Sequence, residues 1–184
     1  MARVPRHAAG RGRGNRAIGA YQRFADEIGF VVAAVDLPGA QDITEARYYY
    51  ILHIVEGLRR AGTLGTQPVW IGGLSGGAKW AMHLGALGGD RFSGVLAIAS
   101  NDDFATVGYQ EYGNRTALQM PICLLNGTQD GVAGVNVEWY EPMCRSLKTT
   151  GFSNVMRREY DGGHSIPYAE TVEAFRWLAQ QRPQ

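Results

Sequence analysis

The stretch VWIGGLSGGAKWAMHLGA, residues 69–86, changes character at its centre. It begins as an apolar run typical of a buried strand, and two pairs of glycines then flank Leu74 and Ser75. The residues after the second pair have the composition of a helix. This order predicts a strand over residues 68–74, a sharp turn at Ser75, and a helix from Gly76 to about Leu87.

Strand-like and helix-like patterns alternate on both sides of this stretch. Apolar or alternating runs predict four more strands, at residues 30–35, 95–99, 121–125 and 155–160. Amphipathic spacing predicts helices at residues 15–28, from about 42 to 61, 135–148 and 166–180. Such alternation is typical of an α/β three-layer sandwich, with a mostly parallel sheet of about five strands and helices on both faces. We expect one domain over residues 16–184, and a loop over residues 101–120.

Composition limits the classes of partner. The 184 residues carry a formal net charge of +1, which gives no general reason to expect nucleic acid or an anionic membrane. The two cysteines, Cys123 and Cys144, make no disulfide framework and indicate a reduced, cytoplasmic location. Residues 1–15 are basic and resemble either an RNA-binding tail or a solvated irregular start. We favour the irregular start, because no aromatic residue interleaves with the arginines to stack on bases.

Ser75 is the candidate nucleophile. In a parallel sheet, ligands bind at the carboxyl ends of the strands, and Gly73-Leu-Ser-Gly-Gly77 lies at such an end, between a strand and a helix. A serine on this turn projects its hydroxyl into the crevice, and the Gly76 N–H at the helix start points toward a developing oxyanion. A phosphate-binding loop is excluded, since Lys79 follows Ala78 rather than glycine and precedes no Ser or Thr.

A nucleophilic serine needs a base, and the base needs an orienting acid. Of the four histidines, His53 and His83 lie within predicted helices and are interpreted as partly buried structural residues. His164 follows the last predicted strand in a loop with two glycines, which favours a role as base. Asp130 follows the fourth strand and is the favoured acid. Its rivals, Asp102 and Asp103, follow the third strand and would equally suit a turn cap.

Together these motifs resemble the α/β-hydrolase superfamily, nearest to its compact esterase branches. Those are the phospholipase/carboxylesterase, feruloyl-esterase and polyhydroxybutyrate-depolymerase-like proteins. The matching pieces are Gly73-Leu-Ser-Gly-Gly77, Leu125-Asn-Gly-Thr-Gln-Asp130 and Gly162-Gly-His-Ser-Ile-Pro167, in the chain order Ser, Asp, His. The likeness extends from about residue 15 to the end of the chain. It implies hydrolysis of a small-molecule ester through an acyl-Ser75 intermediate, with no metal or organic cofactor.

The same resemblance implies a second oxyanion donor from a loop rich in His and Gly. His7-Ala-Ala-Gly10 matches that loop, with Ala8 or Ala9 as the donor. In the family an apolar strand precedes the loop and lies between our first two predicted strands, whereas only residues 1–6 precede it here. Either the chain is a shortened version or residues 3–7 form a stub of that strand. We expect the stub, with the first 15 or so residues poorly ordered.

Two functions from different classes remain open at this point. The first is a carboxylic ester hydrolase, of which a peptidase or acyltransferase is a variant. The second is a catalytically impaired protein of the same fold that binds a small molecule or a protein. The segment 101–120 is too short for a large lid, so we expect an open site. The sequence indicates neither the acyl group of the substrate nor the oligomeric state.

Overall fold

The computed structural model describes residues 13–35, 45–100, 103–132 and 137–181. The chain divides into two compact units, residues 1–55 and residues 56–184. The predicted boundary at residue 15, between a basic segment and a domain, lies close to the first described residue and stays a prediction. The predicted stub of strand at residues 3–7 lies outside the described residues.

The first unit contains helix α1, Arg13–Ile28, and most of helix α2, Glu45–Arg60, which runs into the second unit. Phe24 and Ala25 of α1 are buried. The strand predicted at residues 30–35 is wrong: the segment is irregular, and Val31 is 42% exposed. An apolar run becomes a strand only when a neighbour satisfies its backbone groups, and no described strand pairs with this one.

The second unit alternates strands and helices as predicted. Along the chain they are β1 Trp70–Leu74, α3 Gly76–Gly88, β2 Gly94–Ile98, α4 Phe104–Tyr112, β3 Ile122–Gly127, α5 Val137–Thr150, β4 Val155–Tyr160 and α6 Tyr168–Gln180. Short 3-10 turns follow α3 and α4, at Gly89–Arg91 and Arg115–Gln119. No described helix combines the length and the apolar character that crossing a bilayer would require.

The four strands form one parallel sheet in the order β1-β2-β3-β4. Every residue of β2 and β3 is buried, as expected for central strands covered on both faces. The α/β fold class with a parallel sheet is confirmed, with four strands in the described part of the chain rather than about five. Because all four strands run the same way, their carboxyl ends share one edge of the sheet.

Helices cover both faces of this sheet. Successive residues of a strand point to opposite faces, and the first two residues of β2 show which helix lies on each. A Cβ atom on Gly94 would lie 2.7 Å from Leu178 of α6, while the Val95 side chain would lie 2.5 Å from a Cβ atom on Gly85 of α3. Helix α4 packs on α3. The predicted three-layer sandwich is therefore present within the second unit.

The segment 101–120 is not the loop that its composition predicted. Asp103 caps helix α4 by accepting a hydrogen bond from the Thr106 N–H at 2.9 Å, and Gly113 ends the helix in the left-handed conformation at φ 62°. An aspartate directly before a nine-residue segment, with a glycine directly after it, is a recognisable capping pattern for a helix. The aromatic and polar composition of the residues between these caps did not indicate a helix.

A substitution at Gly85 tests how closely α3 packs against the sheet, and the same substitution at Gly57 serves as its control. We expect Gly85→Ala to lower the free energy of unfolding by about 1–3 kcal/mol, because the new methyl overlaps Val95 in a packed core. In the matched control Gly57→Ala, in α2, the new methyl meets no described atom within 4 Å. There we expect a gain of up to about 1 kcal/mol from helix propensity. Urea unfolding measures both, and equal stability of the two variants would contradict this packing.

Candidate active site

Ser75 occupies the turn between β1 and α3. Its backbone has φ 57° and ψ −120°, a conformation that a residue with a side chain rarely adopts. The Ser75 N–H donates to the Ile98 carbonyl of β2 at 2.8 Å, which continues the sheet ladder into the turn. The Ser75 carbonyl accepts from the Ala78 N–H at 2.9 Å and starts the helix. The predicted sharp turn at Ser75 is confirmed.

One of the flanking glycines is required by space. A Cβ atom on Gly73 would lie 2.5 Å from the carbonyl carbon of Gly77, closer than real atoms approach. A Cβ atom on Gly76 or Gly77 would meet no described atom within 4 Å. Space therefore requires glycine at position 73 but not at position 77. The chain folds back over position 73.

Asp130 and His164 are brought together. Nδ1 of His164 lies 2.8 Å from Oδ2 of Asp130, and the other carboxylate oxygen accepts from the Val132 N–H at 3.1 Å. The carboxylate is only 2% exposed, whereas the imidazole is 22% exposed. A buried carboxylate with both oxygens hydrogen-bonded is a fixed acceptor for an imidazole N–H. Because the Nδ1 edge of the ring faces the acid, Nε2 lies on the opposite edge.

Two loops supply this pair, and they touch through their backbones. The acid loop (residues 128–132) follows β3, and the histidine loop (residues 161–167) follows β4. A Cβ atom on Gly127 would lie 2.3 Å from the Gly162 carbonyl oxygen and 2.7 Å from that of Gly163. The Gln129 N–H donates to the same Gly162 carbonyl at 2.9 Å. The histidine loop is therefore pressed against the end of β3.

Sequence reasoning missed Tyr160, the last residue of β4. Its hydroxyl lies 2.9 Å from the Gly163 carbonyl oxygen and 2.8 Å from the Ser165 carbonyl oxygen, one on each side of His164. The signal available in the sequence was an aromatic residue at a strand end, separated by Asp161 from a flexible glycine pair.

The rival residues have other surroundings. Asp103 caps α4, which is the turn-capping alternative considered for it, and Asp102 lies outside the described residues. His83 is buried, with Nε2 3.4 Å from Glu111, and burial lowers its pKa against the opposing effect of that carboxylate. His83 lies within its helix as predicted, and it is fully rather than partly buried. His53 lies in α2 as predicted but is exposed rather than partly buried.

The remaining predicted residues lie close to the turn or outside the described chain. Gly76 is the first residue of α3, where N–H groups have no acceptor within the helix. Lys79 lies one turn further on, with its ammonium group 5.3 Å from the centre of the Phe104 ring, as a cation–π contact requires. The predicted second oxyanion donors, Ala8 and Ala9, are outside the described residues. Within the described ranges, no three His, Cys, Asp or Glu side chains form a metal-binding group.

The known proteins that resemble this chain are solved structures. No protein-family profile matches the chain, and no curated protein matches it. Arabidopsis thaliana SOBER1 superposes with a TM-score of 0.58 at 24% identity, over 76% of this chain and 67% of that one. Zea mays acyl-protein thioesterase 2 gives a TM-score of 0.55 at 23% identity, over 80% and 70% of the two chains.

A third solved structure is FphF, a fluorophosphonate-binding serine hydrolase of Staphylococcus aureus. It superposes with a TM-score of 0.64 at 16% identity, over 91% of this chain and 78% of that one. The chain therefore has the α/β-hydrolase fold. The resemblance read from its three motifs is confirmed at the level of the fold.

The strained backbone at Ser75 has a measurable effect on stability. Holding a residue with a Cβ atom at φ 57° and ψ −120° costs about 1–3 kcal/mol, a cost that glycine avoids. Both Ser75→Gly and Ser75→Ala remove the hydroxyl, so their difference isolates the strain. We expect Ser75→Gly to be more stable than Ser75→Ala by about 1 kcal/mol in chemical unfolding. A Ser75→Ala variant at least as stable as Ser75→Gly would show that the turn is not strained.

Proposed function

We propose that this protein is a serine hydrolase that cleaves carboxylic esters of small molecules. The observation that carries the proposal is the contact of a buried Asp130 carboxylate with His164, at the sheet edge where Ser75 adopts a strained backbone. Strain of this kind persists where the surrounding structure enforces it, and it is concentrated at functional sites. The chemistry of the three side chains suits acyl transfer.

In the first half-reaction, Nε2 of His164 takes the proton of the Ser75 hydroxyl as its oxygen attacks the ester carbonyl carbon. Asp130 holds the Nδ1 proton and stabilises the imidazolium that forms. The tetrahedral intermediate collapses when the bond to the alcohol oxygen breaks, and the imidazolium gives its proton to the departing alcohol. An acyl-Ser75 ester remains.

In the second half-reaction, water replaces the alcohol. Nε2 of His164 takes a proton from water as its oxygen attacks the acyl carbon, and the bond to the Ser75 oxygen then breaks. The imidazolium returns the proton to that oxygen, so the carboxylic acid leaves and the serine is restored. No step in this sequence needs an electron carrier or an added group.

The negative charge of each tetrahedral intermediate needs hydrogen-bond donors. The Gly76 N–H, at the start of α3, is the first donor, because helix N-termini favour negative charge. We assign the second donor to Ala8 or Ala9 on the strength of the family resemblance. Loss of one donor lowers such rates by about 10²–10³-fold, so residues 8 and 9 are part of the proposal.

The names of the similar solved structures also support the proposal of a hydrolase. One is named an acyl-protein thioesterase and another a fluorophosphonate-binding serine hydrolase, and both names denote hydrolases. These likenesses lie below 25% identity, so the proposal depends on the residues of this chain. We propose a cytoplasmic location as well, supported by two free cysteines, of which Cys123 is buried and Cys144 half-buried.

Hydrolysis of short p-nitrophenyl esters tests the proposal. We expect Ser75→Ala to abolish turnover and Asp130→Asn to lower kcat by about 10³–10⁴-fold, because an amide no longer holds the correct imidazole tautomer. Asp103→Asn is the matched control: the same change at the rival acid leaves a side chain that still caps α4, so kcat should stay within about twofold.

Two results would contradict the assignment. Equal losses in Asp103→Asn and Asp130→Asn would remove the special role of Asp130. A folded wild-type protein that hydrolyses none of these esters, and whose ligand binding survives Ser75→Ala, would favour the catalytically impaired alternative.

A further inference from the structure

Tyr160 sits under the histidine loop with its hydroxyl directed at the backbone around His164. The residue is 5% exposed. Its hydroxyl proton is shared between the carbonyl oxygens of Gly163 and Ser165, at 2.9 and 2.8 Å. The first of these carbonyls belongs to the peptide bond that joins Gly163 to His164. The hydroxyl therefore holds the chain immediately before and immediately after the imidazole.

The protonation state of this tyrosine suits the arrangement. Burial raises the pKa of Tyr160 above its ordinary value, with the carboxylate of Asp130 adding to the rise and hydrogen bonds to Ser165 opposing it. The hydroxyl is accordingly protonated at neutral pH, and it acts as a donor to both carbonyls.

The ring and the backbone of Tyr160 add to the same arrangement. A Cβ atom on Gly162 would lie 3.2 Å from two carbon atoms of the ring, so the loop rests directly on it. The Tyr160 carbonyl accepts from the Thr128 N–H at 2.9 Å and from the Thr128 hydroxyl at 3.3 Å. Tyr160 thus contacts both the histidine loop and the acid loop.

A loop that begins with two glycines needs such contacts. Gly162 and Gly163 have more backbone freedom than any other residue pair, and ordering them costs conformational entropy. The Gln129 contacts fix the loop at Asp161 and Gly162, before the imidazole is reached. The hydroxyl of Tyr160 extends this ordering across His164.

We infer that Tyr160 is a positioning residue for the proposed hydrolase, which fixes the backbone of His164 so that its imidazole keeps its contact with Asp130 and holds Nε2 in place for the proposed proton transfer. This inference rests on the proposed function for its effect on rate. Its effect on the His164–Asp130 contact does not depend on that function.

The chain contains a matched control for the loss of this hydroxyl. Tyr140 of α5 is also buried, and its hydroxyl also lies close to two carbonyl oxygens, those of Leu124 at 2.8 Å and Arg158 at 3.2 Å. Those carbonyls belong to β3 and β4 rather than to the histidine loop. Tyr140→Phe and Tyr160→Phe therefore make the same chemical change at two comparable buried sites, and only the second borders His164.

The experiment compares the two variants by kinetics and by NMR. We expect Tyr160→Phe to lower kcat for p-nitrophenyl esters by about 10- to 100-fold with KM within twofold, since small misplacements of a catalytic group cost rates of this order. In ¹⁵N-histidine-labelled protein, the Nδ1–H signal of His164 should broaden or move upfield. Tyr140→Phe should change neither kcat nor this signal. Thermal unfolding of both variants separates these effects from a general loss of stability.

The possible outcomes separate the inference from the function. An unchanged Nδ1–H signal in Tyr160→Phe, or equal changes in Tyr140→Phe, overturns the positioning role. If wild type hydrolyses no ester but Tyr160→Phe alone alters the signal, the proposed function fails while the positioning of His164 stands. Gly162→Ala keeps the hydroxyl but pushes on the ring, so it provides a second variant should Tyr160→Phe not fold. It should perturb the signal in the same direction, and an unperturbed signal counts against the inference.

Discussion

The carboxyl edge of the sheet depends on two places where backbone meets backbone with no space for a side chain. At the first, the chain folds back over Gly73 so that Gly77 lies directly above it, and Ser75 is forced into its strained turn. At the second, the carbonyl groups of residues 162–163 lie against Gly127, so the histidine loop packs directly on the end of β3. Both approaches follow from parallel strands that end together, since each connection must leave the sheet at the same edge.

The acid of the site is organised by its burial. A carboxylate withdrawn from water is costly unless hydrogen bonds compensate it, and Asp130 receives them from a backbone N–H of its own loop and from His164. The hydrogen bond between Asp130 and His164 is strong because the site is shielded from water. It fixes the Nδ1 edge of the imidazole and leaves the Nε2 edge available for proton transfer. The histidine loop, and Tyr160 beneath it, then determine where that second edge points. Electrostatics and backbone geometry thus act on the same side chain.

Prediction from the sequence succeeded for the features that local residue patterns and the order of the strands determine. The turn at Ser75, the strands of the second unit and the pairing of Asp130 with His164 all followed from apolar runs that end in polar residues. It failed where an outcome depends on distant partners: residues 30–35 have the composition of a strand but no described neighbour to pair with. The α4 helix was hidden among aromatic residues, although Asp103 and Gly113 mark its ends. Tyr160 could not be assigned, because a hydroxyl aimed at two carbonyls is a property of packing rather than of spacing.

We propose Ser75 as an activated nucleophile, and covalent labelling tests this role most directly. Wild-type protein treated with a fluorophosphonate should gain one adduct, and peptide mapping should place it on the fragment that contains Ser75. Labelling should be absent in Ser75→Ala and should slow sharply in Asp130→Asn, because the serine then lacks a correctly oriented base. A folded wild-type protein that remains unlabelled, or an adduct that persists in Ser75→Ala, would contradict the account.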